Sequence, residues 1–427
     1  MNTREAAFKA LLDIEQNGAY VNAEILKMLS EAGLEEKDKA LFSALTVGVI
    51  KNKLRLDYVI KQFSKTRLKK LSLKVLIILR MGVYQILFLD KVPESAACNE
   101  SVKLTKKFFN PKSVGFVNGI LRNIARNSDK IVYPPRDNIA EFLSVKYSFP
   151  MWICEKLIIQ YGAEKAEDFM KNSNEPHGVF IRVNRLKASA DELLSILKMK
   201  DINAEIVGEN MLYITSAANL TNLGEYKSGM FSIQNYSSAK AAEILEPKEN
   251  ETVIDVCAAP GGKSCAAAEK MNNKGAVYSF DIYEHKINLI KNSAERLGIS
   301  IINAEVNDGE KPKKELFGKA DRVILDAPCS GIGVIHKKPD IKWTRTPEDI
   351  AGLAKLQRNL LQKSKDYLKP GGIMLYSTCT VFKEENEENI KWFLSSNSDF
   401  EKVYEEQILT DEKGESGFYI CKLKKLS

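Results

Sequence analysis

The sequence predicts a multidomain protein, with an all-α N-terminal region, a small α+β middle region and a C-terminal α/β domain built on a doubly wound parallel sheet. Three observations predict it. A chain of 427 residues is too long for one ordinary hydrophobic core, so two or three domains are expected. Apolar residues recur at helical spacing up to about residue 130. After Gly229, short apolar runs alternate with helical segments, which is typical of a parallel sheet covered by helices on both faces.

Composition and cysteine pattern narrow the class of protein. Hydrophobic residues make up 44% of the chain and charged residues 28%, as in globular proteins. The N-terminus lacks the apolar segment of a signal peptide, and the apolar run 75–89 carries Arg80 and Gln85 and is short for a bilayer span. Seven cysteines without CxxC spacing and three scattered histidines indicate neither a disulfide framework nor a metal site. We therefore expect a buried helix at 75–89 and a cytoplasmic enzyme with reduced thiols and no metal.

The N-terminal region combines apolar helical faces with two basic runs. The clearest apolar faces are formed by Ala7, Phe8, Leu11, Leu12 and Ile14, and by Leu41, Leu45, Val49 and Ile50. Within a chain of net charge +7, one basic run without any acid comprises Lys61, Lys65, Arg67, Lys69, Lys70 and Lys74, and a second comprises Lys103, Lys106, Lys107 and Lys112. Two interpretations stay open, because a basic helical face is often only solvated but can also contact RNA.

A break at Tyr133-Pro134-Pro135-Arg136 opens the middle region, since paired prolines cannot continue a helix. Helices are predicted at 138–147 and 151–161, and a strand at 178–184. We interpret Arg182 and Asn184 in that strand as ordinary exposed polar positions rather than as a contact site. The predicted domains are therefore residues 1–133, 134–228 and 229–427.

In the C-terminal domain, strand-like runs occur at 252–257, 276–281, 301–306, 322–326 and 373–377, and helical segments such as 284–297 separate them. Ligands of an open α/β sheet bind beyond the carboxyl ends of its strands. The residues that directly follow these runs are therefore the candidate site.

The first of these turns lies in VIDVCAAPGGKSCAAAE, residues 253–269. Its glycines let a bound cofactor approach the backbone at the start of a helix. The dehydrogenase pattern GxGxxG is absent, and the phosphate-loop pattern matches only Gly262-Lys263-Ser264, because Cys257 replaces its first glycine. We expect a nucleotide-like cofactor to bind this turn, which comprises Cys257, Ala258, Ala259, Pro260, Gly261, Gly262 and Lys263.

An acidic residue ends each of the next strands: Asp281, Asp308 and Asp326. Asp281 lies twenty residues after Gly261, the spacing at which a carboxylate meets ribose hydroxyls. A single aspartate at such a position is often only a helix cap. Three of them favour a cofactor cleft.

Two cysteines also follow strands, Cys329 in Asp-Ala-Pro-Cys-Ser and Cys379 in Ser-Thr-Cys-Thr. Their strands are consecutive, and consecutive strands are usually neighbours, so both thiols are predicted to face one pocket. A lone buried cysteine is usually a small apolar filler, and this role is expected for Cys98, Cys154, Cys265 and Cys421.

Much of the chain resembles known families. The stretches LDYVIKQF, VLIILRMGVYQILFLDKVPESAACNESVKLTKK and GFVNGILRNIAR resemble the all-helical RNA-binding domain of the NusB type. From residue 229 onwards, FSIQNYSSAKAAEIL, DVCAAPGGKS, DAPCSGIGV, KWTRTPEDI and LKPGGIMLYSTCTVFKEENE are similar, in order, to the motifs of RNA cytosine-5 methyltransferases with a Rossmann-like fold. Together these blocks identify the chain as similar to the bacterial small-subunit ribosomal RNA methyltransferase B family.

That resemblance implies a function and a set of roles. The cofactor would be S-adenosylmethionine, the partner 16S ribosomal RNA, the target carbon 5 of cytosine 967, and the active form a monomer away from membranes. Cys379 would be the nucleophile, Cys329 would assist elimination, Asp326 would hydrogen-bond the base, and Lys263 would order the centre. Cofactor contacts would include Asp281, Asp308 and Asp326. The alternative is a non-catalytic RNA-binding or antitermination factor that uses the NusB-like domain, with the sheet as a scaffold.

Overall fold

α-Helices make up the first 174 residues of the computed structural model, which describes residues 1–215 and 219–426. Asn2 begins the first helix by accepting a hydrogen bond from the Glu5 N–H, and Gly18 ends it with φ of 69°. The helices are α1 (Thr3–Asn17), α2 (Val21–Glu31), α3 (Glu36–Lys51), α4 (Lys53–Phe63), α5 (Leu73–Phe88), α6 (Glu94–Phe108), α7 (Val114–Arg126), α8 (Ile139–Tyr147), α9 (Met151–Tyr161) and α10 (Ala163–Asn174).

Helix α5 is the buried helix predicted for the apolar run, and its charged residue has a structural explanation. Arg80 is buried, and its Nε and Nη2 donate to the two carboxylate oxygens of Asp57 at 2.7 Å each. A third nitrogen donates to Glu15 at 3.3 Å, so the guanidinium is satisfied inside the core. Among the residues that the structure describes, none of the helices has the length and apolar character needed to cross a bilayer.

The basic residues predicted as a charged face lie at the surface. All six in the run from Lys61 to Lys74 are exposed, and none forms an ion pair within 4.0 Å with a described residue: Lys61, Lys65, Arg67, Lys69, Lys70 and Lys74. In the second run, by contrast, Lys103 pairs with Glu100 and Lys107 pairs with Glu5. The first run is therefore the stronger concentration of uncompensated positive charge.

A four-stranded antiparallel sheet of order β2-β3-β1-β4 follows. Its elements are β1 (Val179–Val183), α11 (Ala190–Met199), β2 (Ala204–Gly208), β3 (Met211–Ile214), α12 (Gly224–Lys227) and β4 (Phe231–Ile233). The predicted strand at 178–184 is present as β1, but the interpretation of its polar residues was wrong. Arg182 and Asn184 are both buried, because their side chains bond residues of the larger sheet domain rather than solvent.

The C-terminal sheet has seven strands in the order β10-β11-β9-β8-β5-β6-β7. The five strands from β9 to β7 are parallel, as predicted, whereas β11 and β10 are antiparallel additions that the sequence did not reveal. The elements are α13 (Tyr236–Leu245), β5 (Thr252–Asp255), α14 (Gly262–Lys270), β6 (Ala276–Asp281), α15 (Glu284–Leu297), β7 (Ile302–Val306), β8 (Ala320–Asp326), α16 (Ile341–Thr344), α17 (Pro347–Ser364), β9 (Leu368–Thr378), α18 (Glu387–Ser396), β10 (Phe400–Ile408) and β11 (Phe418–Lys425).

Helices cover both faces of this sheet, as the strand sequences predict. Along β8, Val323 and Leu325 pack into the cluster formed with α17 and α18, whereas Ile324 packs with α13, α14 and α15. Successive residues of a strand point to opposite faces, so a strand buried on both sides has a continuous apolar sequence.

The chain divides into two units by its internal contacts. One comprises Met1–Asn174 and Lys337–Thr344, and the other comprises Glu175–His336 and Arg345–Ser427. The short second segment of the first unit contains α16. There the Trp343 Nε1 donates to the Ile50 carbonyl at 2.9 Å, and the buried Lys342 Nζ donates to the Lys51 carbonyl at 2.8 Å. The predicted domain limits at residues 133 and 228 stay a prediction.

Candidate active site

The turn between β5 and α14 has the backbone geometry that its glycines predict. Gly261 has φ of 102°, a left-handed conformation that side chains rarely adopt, and α14 begins at the next residue. The turn residues Ala258 and Gly261 are buried, whereas Pro260 is exposed. The turn therefore forms one wall at the carboxyl edge of the parallel strands, where ligands of such sheets bind.

A cavity of about 380 Å³ opens at this edge. Five of the ten predicted cofactor residues line it: Cys257, Ala259, Asp281, Asp308 and Asp326. The other five, Ala258, Pro260, Gly261, Gly262 and Lys263, are not part of its lining. The carboxyl ends of β5, β6 and β8 and the loop after β7 thus converge on one cavity.

The sequence interpretation missed most of the apolar wall of the cavity. Ile282 and Tyr283 directly follow Asp281 and are more than half exposed, and Leu356 and Leu360 reach the cavity from α17. The first pair had a local signal, since two large apolar residues directly follow a strand end. The second pair had none, because only the packing of α17 brings those leucines to the cavity.

Asp326 and Lys263 form an ion pair beside the cavity. The Lys263 Nζ lies 2.6 Å from one Asp326 carboxylate oxygen, and the Ser377 hydroxyl donates to the other at 2.8 Å. Lys263 is buried and also donates to the Ser238 hydroxyl at 3.1 Å. Charge-assisted bonds on both oxygens fix the orientation of the Asp326 carboxylate.

The two strand-end cysteines lie together, as predicted, but neither is part of the lining of the cavity. Strands β8 and β9 are parallel neighbours with Asp326 opposite Ser377, so the turns that follow them run side by side. The Cys329 and Cys379 sulfurs are 2.8 Å apart, and the Cys379 N–H donates to the Cys329 sulfur at 3.2 Å. The hydrogen bond with Cys379, followed by burial, raises the pKa of the Cys329 thiol. Cys329 therefore holds its proton more strongly than an ordinary cysteine.

The four cysteines predicted as fillers are all buried: Cys98, Cys154, Cys265 and Cys421. Burial raises the pKa of each of their thiols, to about 12 for Cys154 and Cys265. Such thiols remain protonated at neutral pH, which suits a packing role.

Arg182 contacts the helix that carries Lys263. Its guanidinium donates to the buried Glu269 carboxylate at 2.7 Å and to the Gly262 carbonyl at 2.9 Å. The same guanidinium bonds the side-chain oxygen of Gln234. Through these bonds β1 supports α14, so Arg182 helps to hold the turn that is predicted to bind the cofactor.

Asp255, at the end of β5, is expected to make stability depend on pH. Burial raises the pKa of its carboxyl to about 7 from 3.8, and one of its oxygens has no hydrogen-bond partner among the described residues. Because the pKa of this carboxyl is higher in the folded than in the unfolded protein, the folded state has its full stability below about pH 4. Part of that stability is lost as the pH rises through 7. The side chain in Asp255→Asn stays neutral at every pH. Its stability advantage over the unmodified protein should therefore grow by an amount on the order of 2 kcal/mol between pH 5 and pH 7.

Calorimetric melting at pH 5, 6, 7 and 8 checks this expectation. The difference in melting temperature between the variant and the unmodified protein should grow up to about pH 7 and then level off. A constant difference across this range would contradict the raised pKa of Asp255.

Three family models match successive parts of the chain. Residues 1–126 match the NusB family, residues 149–221 match the ferredoxin-like domain of RsmF/B-like methyltransferases, and residues 242–424 match 16S rRNA methyltransferase RsmB/F. The matched ranges contain, in turn, helices α1 to α7, strands β1 to β3 of the small sheet, and the cavity-lining residues together with the two strand-end cysteines.

Relatives match over the whole length. The chain is 37% identical to the probable ribosomal RNA small subunit methyltransferase B of Bacillus subtilis and 31% identical to the ribosomal RNA small subunit methyltransferase B of Proteus mirabilis, in each case over 99% of both chains. Among solved structures, a methyltransferase homologue from Pyrococcus horikoshii is 30% identical with a TM-score of 0.59, over 68% of this chain and 99% of that one. With such identity across both full lengths, the chain belongs to the ribosomal RNA small subunit methyltransferase B family.

Proposed function

We propose that this methyltransferase modifies carbon 5 of cytosine 967 in 16S ribosomal RNA through a covalent Cys379 adduct, as a monomer in the cytoplasm. One observation carries the proposal. Two thiols, 2.8 Å apart, follow the carboxyl ends of neighbouring strands, and Asp326, which ends one of these strands, lines the cavity. A pair of sulfurs beside a cofactor cavity suits a reaction that needs one thiolate and one proton carrier.

S-adenosylmethionine is the cofactor of this family, and the cavity fits it. Asp281 presents a carboxylate for ribose hydroxyls, while Ile282 and Leu360 offer apolar walls for a flat base. Asp308 adds a second acceptor at the same edge. When bound, the cofactor supplies an electrophilic methyl group.

The reaction begins with the cysteine pair. Carbon 5 of cytosine is a weak nucleophile until a thiolate adds to carbon 6 and turns the ring into an enamine-like nucleophile. Cys379 forms that sulfur–carbon bond. The raised pKa of Cys329 supports this division of roles, because the sulfur that keeps its proton hydrogen-bonds its neighbour in the thiolate form.

Asp326 holds the base while Cys379 attacks. A carboxylate accepts a hydrogen bond from the exocyclic amine of cytosine and, when it shares a proton, bonds the ring nitrogen. Its bonds to Lys263 and Ser377 orient it for this contact. Lys263 thus acts on the base through Asp326.

Product release needs two bond changes at the ring. Water takes up the proton on carbon 5, and the electron pair of that C–H bond forms the C5–C6 double bond while the C6–sulfur bond breaks and Cys379 departs as a thiolate. Cys329, adjacent to Cys379, assists this elimination.

The unpaired basic run from Lys61 to Lys74 is the proposed contact for ribosomal RNA. Exposed cations without acidic neighbours attract phosphates over a long range and release counterions on binding. The match of residues 1–126 to the NusB family supports this assignment.

A methylation assay on 16S ribosomal RNA from the same organism tests the proposed function. Purified protein with radiolabelled S-adenosylmethionine should label 16S RNA from a strain in which the gene for this protein is deleted. Bisulfite sequencing should show one cytosine that is protected from conversion in the parent strain and is converted in the deletion strain. No transfer to RNA, together with no detectable binding of S-adenosylmethionine, would favour the non-catalytic RNA-binding alternative. Protection of a different cytosine would overturn the assigned position and leave the chemistry unaffected.

Asp281→Ala is expected to weaken S-adenosylmethionine binding about tenfold or more, because each charge-assisted hydrogen bond contributes roughly 1.5–3 kcal/mol. Isothermal titration calorimetry measures the change directly. Asp321→Ala is the matched control, because Asp321 lies at the beginning of β8, away from the carboxyl edge, and bonds Lys369 and the Thr252 N–H. Unchanged affinity in Asp281→Ala would remove Asp281 from the cofactor site.

A further inference from the structure

A buried carboxylate lies behind the cysteine pair. Glu385 is 0% exposed and forms no ion pair within 4.0 Å with any residue that the structure describes. It accepts hydrogen bonds from the Ser330 N–H at 2.8 Å, the Ser330 hydroxyl at 2.6 Å and the Gln357 Nε2 at 3.0 Å. Burying a carboxylate without a cation is unfavourable unless its hydrogen bonds are well made.

These bonds hold the turn that carries Cys329 on both sides. Ser330 directly follows Cys329 and is held by Glu385. Pro328 directly precedes Cys329, and its carbonyl accepts a hydrogen bond from the Gln357 Nε2 at 2.9 Å. The same amide nitrogen also donates to Glu385. The side chains of Gln357 and Glu385 together therefore hold the residues on both sides of Cys329.

The same cluster reaches the other cysteine. The Ser330 hydroxyl oxygen lies 2.8 Å from that of Thr380, which directly follows Cys379. Ser330, Thr380, Glu385 and Gln357 are each fully buried, so solvent does not compete for these bonds. A continuous chain of hydrogen bonds thus runs from Glu385 to the neighbours of both sulfurs.

We propose that Glu385 is a positioning residue, which holds the Cys329 turn against the Cys379 turn so that the two sulfurs stay in reach of one ring. This inference rests on the proposed covalent reaction. Packing alone does not require an anion at this position, since an uncharged side chain of the same size would avoid the cost of burying a charge. An acceptor with two oxygens is needed to hold the Ser330 N–H, the Ser330 hydroxyl and the Gln357 amide together.

The charge of Glu385 has a second consequence at Cys329. It adds to the hydrogen bond and the burial that raise the pKa of that thiol. Glu385 therefore favours the protonated form of Cys329, the sulfur assigned to elimination.

Three variants and a control test the positioning role by single-turnover and steady-state methylation. Glu385→Ala should lower kcat on the order of 10²-fold, because misplacing the sulfurs by about an ångström has an effect of that size. The affinity for S-adenosylmethionine should not change. Glu385→Gln keeps one oxygen and the side-chain shape, so its kcat should return to within about tenfold of the unmodified enzyme. Ser330→Ala should lower kcat by an amount between those of the two Glu385 variants. It replaces Glu385→Ala as the test if that variant does not fold.

The control is Asn397→Ala, which removes a buried side chain hydrogen-bonded to the Phe393 carbonyl, away from both cysteines. It should leave kcat unchanged. Glu385→Ala should also accumulate covalent protein–RNA complex on a denaturing gel, because attack survives better than elimination. If Glu385→Ala and Ser330→Ala match Asn397→Ala in kcat and in adduct, the positioning role is wrong.

A measurement without RNA separates this inference from the proposed function. In a Cys379→Ser background, the rate of Cys329 alkylation by iodoacetamide is followed against pH by peptide mass spectrometry. Loss of the Glu385 anion in Glu385→Gln should shift that profile to lower pH, because a nearby negative charge raises a thiol pKa. An unchanged profile would overturn the influence of Glu385 on Cys329. Failure of methylation in the unmodified enzyme, with the expected alkylation shift, would instead count against the proposed function alone.

Discussion

Cys379→Ala is expected to abolish methyl transfer while leaving cofactor and RNA binding nearly intact. Without the thiolate, carbon 5 of cytosine is not activated, and loss of a covalent nucleophile costs on the order of 10⁴-fold or more in turnover. Cys379 is half-buried directly after β9, where its sulfur contacts the Cys329 sulfur and its side chain packs against the apolar cluster around β5 and α14. Alanine keeps the Cβ and removes only the partly buried sulfur. The substitution should therefore change chemistry and not folding.

Transfer of a labelled methyl group to 16S RNA measures the loss, and calorimetry with S-adenosylmethionine measures cofactor binding. Cys421→Ala is the matched control, because Cys421 lies fully buried on β11, opposite Tyr376 of β9, and away from the cavity. The control should keep nearly full turnover. Turnover of Cys379→Ala at the level of the control would exclude covalent catalysis by this residue.

The meeting of the two cysteines could be predicted because it depends on local rules. Each sulfur follows an apolar run that stops at a turn, and consecutive parallel strands usually pair, so their carboxyl ends lie together. The register confirms the argument, since Leu325 lies opposite Tyr376 and Asp326 opposite Ser377. The same reasoning placed Asp281 and Asp308 at the cavity.

Residues that act through tertiary packing could not be predicted. Glu385 stands in a charged stretch, KEENE, which has the composition of a solvated helix end, yet it is fully buried beneath the Cys329 turn. Arg182 was interpreted as an exposed strand residue, because strand alternation does not show that β1 is flanked on both sides and contacts α14. Strand β10 could not be recognised because charged residues interrupt its apolar ones, whereas β11 begins with the apolar run 418–421, a strand signal that the sequence interpretation missed.

Cys329→Ala is expected to trap the enzyme on its substrate. If Cys329 serves elimination, the variant still attacks carbon 6 and still methylates, and then stalls with RNA joined to Cys379. The complex should appear as a slowly migrating band on a denaturing gel, because a sulfur–carbon bond survives denaturation whereas non-covalent contacts do not. Its amount should approach one RNA per protein, since each molecule stops after a single turnover.

The double variant Cys329→Ala/Cys379→Ala decides which sulfur forms the bond. With no nucleophile at the site it should give no band, and Cys379→Ala alone should give none either. The hydrogen bond with Cys379 and burial favour this outcome, because they raise the pKa of the Cys329 thiol, and a protonated sulfur is the poorer nucleophile. A band in Cys379→Ala that is absent from Cys329→Ala would reverse the two roles. Normal turnover in both single variants would mean that the two sulfurs, although 2.8 Å apart, only pack against each other.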